Sequence, residues 1–212
     1  MSVDLSVALS QDIGFVSADK PCTKNSQIAD GWTCFRPQGD QYHGTPAPGT
    51  TLPSGGAAGP TRLLVGLELP FDAIVLGARF GWAFRGIAPP ADGQDHARSI
   101  GGEVTARLRL AGSSGFRLDL LGLVGARILD AHATVNVTED RSVPPSTYQL
   151  DNPDHQTLDA YKRMGTGFVG IGLAATVPVA SWSSLRLELP ISLYFPSSGT
   201  AVSPTLVWVV TP

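Results

Sequence analysis

The sequence predicts an all-β fold: one eight-stranded antiparallel up-and-down transmembrane β-barrel, with long extracellular loops and short periplasmic turns. Three observations support this prediction. Eight segments alternate between apolar and polar residues with a period of two, charged residues keep to one face of each segment, and long and short connections take turns along the chain. We expect the barrel to form a single domain over residues 1–212.

The eight predicted strands account for most of the apolar residues of the chain. They span residues 2–15, 61–69, 73–85, 101–110, 116–135, 165–178, 184–194 and 201–210. Long polar connections cover about 16–60, 86–100 and 136–164, with a shorter one at 195–200, while 70–72, 111–115 and 179–183 are short. This arrangement predicts long loops at one end of the barrel and tight turns at the other. Pro190 and Pro204 fall inside predicted strands, where each removes a ladder hydrogen bond, so we expect a bulge or break there.

The charged residues carry the strongest argument. Within a strand, alternate side chains point to opposite faces, and in six predicted strands eight further charges share the parity of the first. Such strands have one continuous apolar face and one charged face. The predicted lumen network comprises Asp4, Arg62, Glu68, Arg79, Glu103, Arg107, Arg109, Arg117, Asp119, Arg127, Arg186 and Glu188.

A soluble antiparallel sheet with its charged face in water would show the same parity. Two further features favour the membrane barrel. Arginines concentrate in the predicted strands, whereas Lys20, Lys24 and Lys162 all lie in predicted connections, as expected if planar guanidinium groups pack in a narrow lumen. Aromatic residues also form two belts, as at the two interfaces of a membrane. One belt contains Phe71, Phe116, Trp182 and Trp208 near the short turns, and the other contains Phe15, Trp82, Phe84, Phe168, Tyr194 and Phe195 near the long loops.

The overall composition excludes several classes of protein. Hydrophobic residues make up 42% of the chain, but no segment has the roughly 18 consecutive apolar residues of a membrane helix. A net charge of −3 offers no basic surface, so we expect no nucleic-acid partner. No basic start and apolar run precede Val3, and we therefore expect the mature form of a protein exported to the bacterial outer membrane.

The first long connection contains the two cysteines, Cys22 and Cys34, which we expect to form a local disulfide in an oxidising compartment. Trp32, Phe35 and Tyr42 lie inside or just after this ring. Two hypotheses follow. The aromatic side chains could form an exposed surface that binds an extracellular ligand or partner, or they could pack on the barrel rim and hold the loop down.

The pattern over residues 2–210 resembles the eight-stranded outer-membrane barrels of the outer-membrane protein A and X type. The segment Asp12-Ile13-Gly14-Phe15-Val16, leading into the Cys22–Cys34 loop, also resembles outer-membrane barrels of myxobacterial type. The resemblance implies fold and location rather than an activity. The chain departs from the pattern at its end, where Val209-Val210-Thr211-Pro212 replaces the usual terminal aromatic.

No catalytic, cofactor-binding or metal-ligating set is predicted. His132, near Asp130 and Thr134, is the one candidate cluster for catalysis, and a hydrogen-bonded rim histidine is the simpler interpretation. We therefore expect a monomeric, non-enzymatic barrel in outer-membrane lipid, anchoring extracellular loops for surface interaction or envelope integrity, with ion pairs filling the lumen. The alternatives are a lipid-modifying enzyme, a narrow channel and a secreted soluble β-barrel.

Overall fold

A computed structural model describes residues 2–19, 21–23, 30–47, 51–91, 100–142, 153–197 and 199–212. It contains ten strands. They are β1 (Asp4–Asp19), β2 (Trp32–Phe35), β3 (Thr51–Phe71), β4 (Ile74–Arg85), β5 (Ile100–Ser113), β6 (Phe116–Thr138), β7 (His155–Ala180), β8 (Ser183–Phe195), β9 (Gly199–Val202) and β10 (Thr205–Val210). Among the described residues, no helix is long and apolar enough to cross a membrane.

The strands close into a ring of eight, which confirms the predicted barrel. Sequential neighbours pair antiparallel from β3 to β8, and β1 closes the ring by pairing with β3 on one side and with β9 and β10 on the other. β9 and β10 together form the eighth strand, interrupted at Ser203 and Pro204. The turns after β3, β5 and β7 each span two residues and lie at the same end as both termini, which we call the short-turn end.

The predicted irregularity at the two prolines is confirmed on one side of β8. The partner of β8 changes from β10 to β9 between Glu188 and Ile191, opposite Ser203 and Pro204. On its other side, β8 pairs with β7 continuously through Pro190. Pro190 has no backbone N–H donor. This loss therefore affects only the ladder between β8 and the β9–β10 side, which Pro204 also interrupts.

Exposure along the strands separates an apolar outside from a polar inside. In β4 and β8 the alternation runs through most of the strand, with outward residues such as Phe84 and Leu193 more than half exposed. Most of the predicted aromatic residues lie on this outer surface: Phe15, Phe71, Trp82, Phe84, Phe116, Trp182, Phe195 and Trp208. Burial of the charged face inside the ring excludes a solvated charged sheet, because the surface facing outward is the apolar one.

Two residues of the predicted belt lie inside the barrel instead. Phe168 and Tyr194 are buried, and their rings stack at 5.3 Å between centroids. The predicted strand at 165–178 contains no charge that could identify its inward face. The sequence pattern therefore left the orientation of Phe168 open. Tyr194, in contrast, shares the parity of Arg186 and Glu188, which indicates an inward side chain. The assignment of both residues to the lipid-facing belt was wrong.

The strands also extend farther than predicted at the long-loop end. β3 begins at Thr51 rather than at residue 61, β6 continues to Thr138, and β7 begins at His155, which places Lys162 in a strand. β4 ends at Arg85 and β5 begins at Ile100. Farther toward the long-loop end, β3 therefore pairs directly with β6 at Ala58 and His132. The short strand β2, inside the predicted loop 16–60, pairs with β7 at residues 159–162, beyond the point where β8 ends.

Candidate functional site

The lumen contains a chain of charged side chains on facing strands. Because the inward positions of the eight strands converge on a narrow interior, their charges can remain buried only in mutual contact. At the long-loop end, Arg62 Nε donates to Asp12 Oδ2 at 3.0 Å, and Arg127 lies 3.1 Å from Asp12 Oδ1. Arg127 also donates to Glu103 Oε2 at 3.3 Å and to the Tyr194 hydroxyl at 2.8 Å. Its guanidinium lies over the Phe168 ring.

The chain continues through the middle of the barrel. Arg79 donates two hydrogen bonds of 2.6 Å to Glu188, one to each carboxylate oxygen, and lies 3.4 Å from Glu103. Glu188 also accepts from Arg186 Nε at 2.7 Å. Arg186 and Arg107 both donate to Glu68. The two-oxygen contacts use the planar fork of arginine, which lysine could not reproduce.

The structure places the twelve predicted lumen residues in different settings. Nine are buried, namely Arg62, Glu68, Arg79, Glu103, Arg107, Asp119, Arg127, Arg186 and Glu188. Arg117 is half-buried and donates to Asp119 at 3.0 Å. Asp12 is also buried within the chain of ion pairs, although it was absent from the predicted network.

Arg109 and Asp4 depart from the prediction. Arg109 is exposed at the short-turn end, because β5 has a bulge between Arg109 and Ala111. The alternation of buried and exposed side chains along β5 ends there. Asp4 is half-buried near the same end. Within the described ranges, neither side chain makes an ion pair.

At the long-loop end the inward face changes from charged to apolar. Leu129, Ala131, Val135 and Val137 of β6, together with Leu158, Ala160 and Met164 of β7, are buried in one cluster with the first connection. We call this unit the cap: residues 21–23 and 30–47, the end of β6 from residue 129 with the following Glu139, and residues 155–164 of β7. The apolar cluster gives these segments a core of their own beyond the charged lumen.

Three kinds of contact hold the first connection in its arrangement within the cap. A disulfide joins Cys22 to Cys34, as predicted. β2 forms a short ladder with β7, and Arg163 N donates to Gly31 O at 2.9 Å. At the far side of the connection, Ala47 N donates to Thr138 O at 2.7 Å, and Asp140 N donates to Thr45 O at 2.8 Å.

The hypothesis that Trp32, Phe35 and Tyr42 form an exposed binding surface is wrong. Each is at most 1% exposed, so none can offer its ring to a partner. The Lys162 ammonium lies 5.8 Å from the centroid of the Trp32 ring, and Phe35 packs edge-on against Tyr161. The packing alternative holds because these large apolar surfaces gain more from burial in the cap than from exposure to water.

Tyr42 and Glu139 form the main polar contact inside the cap. The Tyr42 hydroxyl donates to Glu139 Oε1 at 2.5 Å, and Glu139 also accepts from Thr45 N and Gln156 Nε2. Burial, reinforced by the neighbouring Glu139 carboxylate, raises the pKa of Tyr42 well above its ordinary value. The Tyr42 phenol therefore stays un-ionised and remains a hydrogen-bond donor across the physiological range.

His132 does not form the predicted cluster with Asp130. Its Nε2 lies 2.8 Å from Asp159 Oδ1, and its ring packs on Tyr161 at 4.8 Å. Asp130 instead accepts from Arg163 Nε at 2.6 Å. Within the described part of the chain, no three His, Cys, Asp or Glu side chains are grouped as metal ligands.

A concave polar region lies on the outer surface of the cap. A cavity of about 430 Å³ is lined by Arg36, Pro37, Gln38, Asp40, Pro153, Gln156 and Thr157. It lies beside the tight turn at Gly39, whose φ of 95° favours glycine. The polar side chains here, rather than the buried aromatic residues, are accessible at the outer surface of the cap.

No protein-family model matches this sequence, and no curated protein aligns with it significantly. Among solved structures, Neisserial surface protein A is 7% identical, with a TM-score of 0.48 and coverage of 100% of this chain and 98% of that one. The N-terminal barrel of Pseudomonas aeruginosa OprF is 11% identical, with a TM-score of 0.36 over 96% of each chain. Ail, the attachment invasion locus protein of Yersinia pestis, is 10% identical, with a TM-score of 0.35 and coverage of 100% and 99%.

All three TM-scores lie below 0.5. The transmembrane barrel is therefore supported by this chain's own strand register and by the exposure of its apolar side chains. Nothing in these comparisons supports the resemblance to barrels of myxobacterial type.

Proposed function

We propose that this chain is a monomeric, non-enzymatic barrel of the bacterial outer membrane that anchors a rigid cap at the cell surface. The observation that carries the proposal is the cap itself. Extended strands, a disulfide and an apolar core hold the first connection in one arrangement, although a much shorter connection could close the barrel.

The orientation follows from the asymmetry of the two ends. Outer-membrane barrels have short turns on the periplasmic side and long connections on the outside. The three two-residue turns of this chain and both termini share one end, and the cap occupies the other. The disulfide fits a location outside the cytoplasm, since such bonds persist in oxidising compartments.

The lumen is proposed to be closed to ions. Ion pairs span it from Arg62 and Asp12 to Glu68 and Arg186, and these four side chains are at most 2% exposed. Their charges are paired, so an ion passing through would have to displace several buried contacts. The proposed role is therefore to present the outer face of the cap, including the concave region beside Gly39, for surface interaction.

Epitope tags test the orientation. A tag inserted after Gly39, in the exposed turn of the cap, should bind antibody on intact cells. A matched tag inserted after Gly115, in the two-residue turn between β5 and β6, should bind only after permeabilisation. Antibody binding at Gly115 on intact cells would contradict the orientation, and recovery of the chain in the soluble fraction would contradict the membrane location.

Planar bilayers test the closed lumen. The purified barrel should give no steady conductance, whereas Arg79→Ala combined with Glu188→Ala should increase leakage by opening the central layer. Single-channel openings of the unmodified chain would overturn the closed lumen and favour the narrow channel.

A further inference from the structure

The short-turn end of the barrel contains a cavity of about 490 Å³ that the proposed role does not use. Buried Glu68, Arg107 and Arg186 lie on its inner side, while exposed Arg109, Ser114 and Thr211 lie toward its opening. The cavity therefore extends from the periplasmic mouth into the lumen.

The charges around this cavity are unbalanced. Four arginines line it (Arg107, Arg109, Arg117 and Arg186) against two carboxylates (Asp4 and Glu68). Asp119 accepts a hydrogen bond from Arg117 nearby, and Glu188 accepts one from Arg186. Because Glu188 is shared with Arg79, the arginines around the cavity remain in excess. The rest of the lumen, in contrast, pairs its charges closely.

Several donors around the cavity have no acceptor. Arg107 is 1% exposed, yet its Nε and Nη1 donate no hydrogen bond to any described residue, and Nη1 lies 3.8 Å from Asp119 Oδ2. The Thr176 hydroxyl, which also lines the cavity, lacks a partner in the same way. Leaving buried donors unsatisfied is costly, so such groups normally meet a ligand or ordered water.

The strand register brings the donors together. Thr176 of β7 pairs with Arg117 of β6 on one side and with Arg186 of β8 on the other. Three adjacent inward positions thus present guanidinium, hydroxyl and guanidinium groups side by side. Arg186 already donates to Glu68 and Glu188, so a tetrahedral oxyanion here would accept from Thr176, Arg117 and Arg107 instead. The guanidinium fork matches two phosphate oxygens.

We infer that this cavity is a binding site for a phosphate group, either free phosphate or a phosphate monoester, entering from the periplasmic mouth. The ion pairs among Glu68, Arg186 and Glu188 close its inner side. The site is therefore a dead end, and the ligand binds there without crossing the barrel.

Isothermal titration of the full-length chain, folded in a non-ionic detergent without phospholipid, tests the inference with inorganic phosphate as the probe. We expect saturable binding of one phosphate per chain. Arg109→Gln combined with Arg117→Gln should weaken it at least tenfold. Arg85→Gln, which removes an exposed arginine at the opposite end, should leave the affinity within twofold. Heat-modifiable migration on gels checks that each variant is folded.

Two results would overturn the inference. One is the absence of saturable binding by the folded chain, which would mean that water alone satisfies the donors. The other is equal weakening by Arg85→Gln, which would indicate a general charge effect. Competition by phosphatidic acid, a phosphate monoester, added to the micelles would identify a lipid headgroup as the source of the phosphate, and its absence would identify a soluble phosphate.

Discussion

Arg79 of β4 spans the lumen to Glu188 of β8, and its two terminal nitrogens each donate a 2.6 Å hydrogen bond to that carboxylate. The two strands are not neighbours in the ring. A single pair of side chains therefore ties opposite walls of the barrel together, and both residues also contact a second charged group.

Removing one member of this pair should be strongly destabilising. Glu188→Ala leaves Arg79 and Arg186 buried without their main acceptor, and we expect a loss of about 3–5 kcal/mol in unfolding free energy. Denaturant unfolding in lipid vesicles, followed by tryptophan fluorescence, measures it. Arg141→Ala, which breaks the exposed pair with Asp154, is the control and should cost less than about 1 kcal/mol. Similar small losses in both variants would mean that the lumen pairs do not stabilise the barrel.

The lipid-facing surface should show a dependence on depth. In β5, buried and exposed side chains alternate most clearly from Glu103 to Leu108. The outward side chain of Val104 lies within the band between the aromatic belts. Val104→Arg should therefore cost about 2–4 kcal/mol, as expected near the bilayer midplane. Val179→Arg, near the short-turn end of β7, should cost about 0–1 kcal/mol. The same unfolding measurement applies, and equal costs would show that Val104 does not face hydrocarbon.

The disulfide should stabilise the cap without being required by the barrel. The ring between Cys22 and Cys34 encloses no strand of the eight-stranded ring. Opening it should cost the cap roughly 3 kcal/mol in the chain-entropy model. Cys22→Ser with Cys34→Ser should keep heat-modifiable migration but make the 30–47 segment sensitive to proteinase K. Loss of heat-modifiable migration in this variant would show that the barrel itself depends on the bond.

Alkaline pH should loosen the cap through Tyr42. Its pKa is raised in the folded chain, so its contribution to stability is complete below about pH 10 and declines as the pH rises further. We expect protease sensitivity of the 30–47 segment to stay level between pH 8 and pH 10 and to increase above about pH 10. Tyr42→Phe should reduce this pH dependence, because phenylalanine cannot ionise. Tyr161→Phe measures how much a second cap tyrosine contributes to the alkaline response. An unchanged alkaline response in Tyr42→Phe would remove Tyr42 as the cause.

Much of the barrel was predictable because a charge identifies the inward face of a strand. Arg79 and Glu188 each imply the orientation of their neighbours, and the pattern holds until a bulge or a strand end shifts it, as at Arg109. Phe168 was misplaced because its predicted strand contains no charge to orient it. The cap was not predictable from periodicity, since β2 has four residues and its partner on β7 lies more than a hundred residues later in the chain.

The pairing of β2 with β7 also affects how copies of this protein can meet one another. Above the end of β8, residues 159–162 would otherwise present unpaired backbone donors and acceptors on the side of the cap. Such an open edge is a template for strand exchange and aggregation between neighbouring molecules. Because β2 occupies it and the disulfide at Cys34 restrains β2, this edge is closed to strand exchange with another copy of the chain.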